Sequence, residues 1–182
     1  LPESERGMKI NAPRTPGIGM FSDDIRDAVK GHVFYMDELG FVNGAADRGE
    51  ELKQAVTCAK WAKSPMQSIN YLSCHDNYTL WDRFIISNSH ESEEMRIRMN
   101  KLAAAILFTA QGIPFFLHGE EFARTKISEA DGAPVENSYC SPLSVNAIDY
   151  DRAEQFSDLK AYYKGLIALR RAHKSFYLDT VD

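Results

Sequence analysis

Apolar residues along this chain fall into short runs of strand length separated by longer stretches of helical spacing. Ile18 to Phe21 predicts a short strand. Ser22 then stands where a helix cap belongs, with Asp23 and Asp24 in the first turn, Lys30 in the last and Gly31 as the stop. Glu50 to Lys63 predicts a second helix, burying Leu52, Ala55, Val56 and Ala59. Ile69, Tyr71 and Leu72 predict a strand whose C-terminal edge carries His75-Asp76, with the turn former Asn77 behind them. From Glu93 to Gln111 the residues Met95, Met99, Leu102, Ala103 and Ile106 keep helical spacing, and Ile113 to Leu117 follows at once as a buried strand. A last helix, Phe156 to His173, carries Leu159, Tyr162, Tyr163, Leu166 and Leu169.

This alternation predicts an α/β fold, a parallel sheet with helical crossovers. Pro2, Pro13 and Pro16 with Gly7 and Gly17 make residues 1–17 a loop leading into the fold. Residues 120–150 hold few apolar positions, and a connection that long reads as a functional rim loop. No internal repeat or low-complexity tract interrupts the pattern.

Composition narrows the function classes. The 182 residues are enough for one sizeable core but short of the roughly 250 of a complete β/α barrel. Hydrophobic residues make up 44% and charged residues 26%, and no apolar run of roughly 18 residues exists to span a membrane. A net charge of -5 with Lys and Arg interspersed among acids argues against nucleic acid and for a neutral ligand. Cys58, Cys74 and Cys140 lack CxxC spacing and are odd in number, so neither a disulfide framework nor a zinc knuckle is indicated. At least one free thiol leans toward a reducing compartment, which leaves localisation open between cytoplasmic and secreted. The chain starts without Met and without a charged-then-apolar leader, as a fragment or processed chain would.

Two predicted strands end on ionisable residues, His75-Asp76 and His118-Gly119-Glu120-Glu121, which suggests one shared rim at the edge where α/β sheets keep their chemistry. By the residues alone, a His-Asp pair at a strand end fits a structural role more readily than a catalytic one. Adjacent Glu120 and Glu121 point to opposite sides of an extended segment and cannot jointly flank one bond, while Glu121 and Arg124 suit a structural or rim interaction. The same alternation would send Cys74 and Asp76 away from His75, so no nucleophile relay is expected of the three. His90, His118 and His173 lack metal-site spacing, and no metal site is expected. Trp61 and Trp81 could stack on sugar rings, but Trp81 stands at a helix start where core packing serves equally.

The segment INYLSCHDNYTLWD, Ile69 to Asp82, resembles the last catalytic motif of the α-amylase superfamily, glycoside hydrolase family 13. QGIPFFLHGEEFARTK and ENSYCSPLSVNAIDY resemble type I pullulanases in particular, and APRTPGIGMFSDDIRDAVKG is similar to the segment after that family's general-acid motif. The resemblance implies that residues 1–182 are the C-terminal portion of a catalytic TIM barrel, about its sixth to eighth β/α units. It implies a parent enzyme that cleaves α-1,6-glucosidic branches of pullulan, starch or glycogen-derived glucans with retention, using two carboxyl groups roughly 5 Å apart. Asp76 matches the family's third carboxylate, a transition-state stabiliser, and His75 matches a histidine that hydrogen-bonds the sugar. Asn77, Asn137 and Asn146 resemble amide positions near the donor subsites, although each could equally be a turn former.

The family's nucleophile and general acid lie in GFRFD-like and GEGW-like motifs, and neither string occurs here. The 182 residues alone are therefore expected to hydrolyse nothing. Where related pullulanases commonly read SPDSVN, this chain has Leu143 in place of the acid, which removes a hydrogen-bonding contact. No cofactor is indicated, and calcium in a longer parent is left open. The competing readings are a noncatalytic carbohydrate-binding or structural piece that self-associates through exposed sheet edges, and an isoamylase or α-1,4-acting relative.

Overall fold

The computed structural model describes residue 2 and residues 7–180, so part of the predicted 1–17 loop lies outside the described residues. Three short strands, β1 (Met20–Ser22), β2 (Ser68–Asn70) and β3 (Ile113–Pro114), form a parallel sheet in the order β1-β2-β3. Met20 pairs with Ser68, and Ile69 with Ile113. Helices α1 (Asp23–Lys30) and α2 (Gly49–Thr57) lead from β1 to β2, and α3 (Leu80–Ser87) and α4 (Glu93–Thr109) lead from β2 to β3. Beyond β3 come the single-turn α5 (Leu143–Asn146), then α6 (Asp151–Gln155) and α7 (Ser157–Ala172). The predicted α/β class and parallel sheet are thus present.

The helices bury one face of the sheet around Ile25, Val29, Leu72, Leu80, Phe84, Leu107 and Tyr163. In α4 the buried residues form two i,i+4 rows, Met99-Ala103-Leu107 and Asn100-Ala104-Phe108. Leu102, one of the apolar residues at helical spacing, lies off those rows and is 44% exposed; Tyr162 and Leu169 of α7 are likewise outward. Arg170 joins α7 to the turn between α4 and β3, donating to the carbonyls of Phe108, Ala110 and Gly112. A cation there satisfies helix-end carbonyls that otherwise lack partners.

Several predicted elements are shorter than the pattern implies. The helix expected to reach Lys63 ends at Thr57 because its next backbone partners are taken: the Val56 carbonyl accepts from Gln111 N–H, and Lys60 N–H donates to Asp24. The strand expected to run toward His75 stops at Asn70. There the Tyr71 hydroxyl binds Asp23 and Arg26 while Ser73 turns inward to Glu120, and these anchors draw the chain out of the ladder. The strand predicted over Ile113–Leu117 is neither long nor buried, since Ile113 and Phe115 sit on the sheet's uncovered face. Phe21 stands beside Tyr71 and Phe115 there, with ring centroids 4.9 and 5.2 Å apart. Ser22 precedes α1 as predicted, but its hydroxyl makes no cap bond; the acids of the first turn meet the helix N-terminus instead.

Candidate functional site

The segment after β2 builds the site in two layers. Its buried layer starts at Thr79, whose hydroxyl accepts from Asp82 N–H and caps α3. Leu80 and Trp81 enter the core, where Trp81 packs edge-on against Phe156, so the sugar-stacking alternative for Trp81 fails. Asp82 is fully buried and accepts from the Thr125 hydroxyl and from Lys126 N–H at 2.9 Å. Burial raises its carboxyl's pKa, while Thr125, the Lys126 amide, Thr79 and Arg152 oppose that rise. Asp82 therefore ties the 120–150 segment to α3, a role the sequence reading did not assign.

Replacing Asp82 by Ala would leave the Thr125 and Lys126 donors unpaired in the interior. The expected cost is about 2–4 kcal/mol in urea unfolding, with faster proteolytic cleavage between residues 120 and 150. Asp82→Asn, which keeps an acceptor, should lose less on both measures.

The outer layer holds the predicted pair. His75 and Asp76 lie past the end of β2 in a turn, with side chains 84% and 61% exposed and His75 Nε2 3.5 Å from Asp76 Oδ2. Because this segment is not a strand, the alternation expected to separate the three residues does not apply. One ligand-type atom each from Cys74, His75 and Asp76 lies within 4.8 Å of the others. Asn77 closes the turn in the left-handed region, φ 58°, and Asn137 does the same on the facing loop at φ 50°. Asn77 N–H donates to Asn137 Oδ1 at 2.7 Å, which clasps the two turns together. Asn146 works within the 120–150 segment: Oδ1 accepts from Ser138 and Nδ2 donates to the Ser138 and Ser141 carbonyls. That amide is spent on loop shape.

The segment after β3 contributes structure to this rim. Arg124 donates to the His118 and Asn146 carbonyls, and Glu121 accepts from Gly119 N–H. The expected Glu121–Arg124 interaction is thus absent; each side chain binds main chain instead. Ala123 holds φ 58° with its carbonyl gripped by two nitrogens of Arg152. Leu143 is 81% exposed, at the outer edge of the loop.

Beneath the rim lies a charge network that sequence periodicity could not reveal. Glu120 is buried, accepting from Ser73 at 2.5 Å with the Tyr163 hydroxyl 3.2 Å away. Burial pushes its pKa up to about 7 against the opposing pull of Ser73, Tyr163 and Lys30. Lys30 is buried too, and burial, aided by Arg26 and Arg83, lowers it to about 8. At the end of β1, burial of Asp23 is outweighed by Lys9, Arg26 and the Tyr71 hydroxyl, which hold its carboxyl below the usual range.

The three cysteines are free thiols, and no helix among the described residues is long and apolar enough to cross a membrane. No protein-family model matches the chain. The pullulanase of Bacillus subtilis strain 168 is 40% identical over 185 residues, which takes in 98% of this chain and 25% of that protein. The pullulanase of Anoxybacillus sp. LM18-11, solved with maltotetraose, superposes with a TM-score of 0.94 at 42% identity and covers all of this chain and 26% of its own. A type I pullulanase from Bacillus subtilis str. 168, solved with maltose, gives 0.91 at 39% identity, again over the whole of this chain and 26% of that one. The chain thus spans about a quarter of the length of the relatives it matches. Extending across nearly every residue, that agreement makes this chain a member of the type I pullulanase family.

Proposed function

We propose that this chain supplies the sixth to eighth β/α units of the catalytic barrel of a retaining hydrolase acting on the α-1,6 branches of pullulan, starch or glycogen-derived glucans. The observation that carries the reading is the exposed His75-Asp76 pair, set beyond the C-terminal end of the central parallel strand and clasped to the 120–150 loop through Asn77 and Asn137. In this reading Asp76 stabilises positive charge developing on the sugar ring and His75 binds a sugar hydroxyl. Asn77, Asn137 and Asn146 hold the rim in shape beside the ligand. The relatives solved with maltotetraose and maltose favour an α-glucan ligand for this chain.

Neither Glu120 nor Asp23 offers Asp76 a partner in double displacement. Glu120 is buried and hydrogen-bonded, and Asp23 is committed to Lys9, Arg26 and Tyr71, so neither stands free to attack a sugar or protonate a leaving group. Purified 182-residue chain should release no reducing sugar from pullulan but bind a branched maltooligosaccharide in calorimetric titration. Asp76→Asn should weaken that binding about tenfold, the loss of roughly one charge-assisted hydrogen bond. Hydrolysis by the chain alone would overturn its assignment as an incomplete catalytic unit, and binding indifferent to both His75 and Asp76 would remove the site.

The second reading, a self-associating piece, rests on the uncovered sheet face that bears Phe21, Ile113 and Phe115, all at least 36% exposed. The native mass of the particle distinguishes a monomer from such pairing.

A further inference from the structure

We propose that Cys74, His75 and Asp76 form a three-point chelate for a thiophilic divalent ion of the zinc type. The three donors differ in kind, a thiolate sulfur, an imidazole nitrogen and a carboxylate oxygen. Zinc and cadmium accept this set, whereas magnesium and calcium, which prefer oxygen, do not.

Three adjacent residues rarely turn their donors to one point, and here the backbone explains why they do. The chain leaves the ladder at Asn70, and by Asn77 it has reversed through a left-handed residue whose amide is pinned to Asn137. Within that turn Cys74 Sγ lies 3.9 Å from the Asp76 carbonyl oxygen, and His75 Nε2 lies 3.5 Å from Asp76 Oδ2. The three ligand atoms fall within 4.8 Å of one another.

A tetrahedral ion bonded at zinc's usual distances needs its ligand atoms about 3.5 Å apart. The His75–Asp76 pair already meets that spacing, and the sulfur of the half-buried Cys74 lies within 4.8 Å of both donors. The turn is held by Asn77 and Asn137, not by the donors themselves, so binding orders little new backbone. Lys126 opposes the ion, because its ammonium interacts with both Cys74 and Asp76. Two anionic donors nevertheless neutralise a divalent ion in full, and the remaining coordination position opens to solvent. An ion seated there would occupy the two side chains assigned to the sugar, making metal and glucan mutually exclusive.

The test is a cadmium titration of the 182-residue chain, read by the sulfur-to-cadmium charge-transfer band. One saturating site is expected. Cys74→Ser should weaken it at least about 100-fold and His75→Ala at least about tenfold, no less than the roughly 10–100-fold lost when only an outer-shell partner is removed. The double variant Cys58→Ser/Cys140→Ser, which removes the other two thiols, should titrate as the native chain does. Zinc should displace cadmium, and calcium should not. Circular dichroism and urea midpoints keep the Cys74 and His75 variants comparable with the native chain, and Cys74→Ala serves if the serine variant is unstable. The proposal is overturned by absence of a saturable band, or by a band that survives Cys74→Ser and vanishes with Cys58 and Cys140. Because the band reports sulfur and not sugar, its absence leaves the glucan reading standing, and failure of glucan binding leaves the chelate standing.

Discussion

Glu120→Gln should remove a fall in stability of about 3 kcal/mol that the native chain undergoes between pH 4.5 and pH 7. In the unfolded chain Glu120 loses its proton near the ordinary value of 4.5, while the folded interior holds the proton until about 7. Between those limits the folded state binds more protons than the unfolded state, so stability declines as pH rises and levels off above the folded value. Lys30 acts with the opposite slope and in a separate window. Its folded pKa is lowered from 10.5 to about 8, so the unfolded state binds the extra proton and stability recovers as pH rises between those values. These two groups together place a stability minimum near pH 7–8. The Gln carbonyl can still accept from Ser73 while its NH2 donates to the Tyr163 oxygen, whose own proton stays on Asn100 Oδ1, so the variant removes the charge and keeps both contacts. Urea unfolding at several pH values checks this. Parallel curves for the native chain and the Glu120→Gln variant over pH 4.5–7 would show that Glu120 ionises as readily inside as outside. Lys30→Met should flatten only the alkaline limb.

Gly31→Ala should cost more than about 4 kcal/mol, or prevent folding. Gly31 closes α1 at φ 89° and ψ 170°, a region that side-chain-bearing residues essentially never occupy. A Cβ there would lie 1.9 Å from the Glu38 carbonyl oxygen and 2.9 Å from Arg83 Nη2. Neither neighbour can give way. Arg83 is itself buried, with its guanidinium donating to the carbonyls of Lys30, Tyr35 and Glu38, so moving it would undo the whole connection after α1. Gly132 provides the contrast: its φ is 70° but a Cβ would meet nothing within 4 Å. Gly132→Ala should therefore cost only about 1–2 kcal/mol, the penalty of the left-handed backbone alone. Equal losses at the two positions in urea unfolding would mean that the contact with Glu38 is not what constrains Gly31.

The candidate site follows the same division between local and distant causes. His75 and Asp76 were legible because a polar pair interrupts an apolar run before a turn former, and that signal is local. The role of Asp82 was not, because its partners Thr125 and Lys126 are more than forty positions away and nothing in TLWD announces them. Asn146 carried a signal for hydrogen bonding, but only the fold shows that Ser138 and Ser141 use it up. Strand alternation predicts Cys74 and Asp76 on the side away from His75, whereas the structure places all three in a turn that brings their ligand atoms within 4.8 Å of one another.

Although α5 and α6, and α3 beyond a helix start at Trp81, were not foreseen, the sequence by itself determined the α/β class, the order of the three strands and of the helices α1, α2, α4 and α7, the helix starts at Asp23 and Glu93 and the stop at Gly31. Those depend on periodicity, on acids near a helix N-terminus and on a conformation that only glycine adopts readily, all encoded within a few residues. Tertiary structure decided where β2 and α2 end and which face of β3 is open. It also decided that Glu120 and Lys30 share an interior and that Leu102, Tyr162 and Leu169 face outward. Strand length is set by competition between ladder bonds and anchors such as Tyr71–Asp23 and Ser73–Glu120, and burial is set by which helices arrive from elsewhere in the chain. Both depend on contacts between residues far apart in sequence, which no short window of it contains.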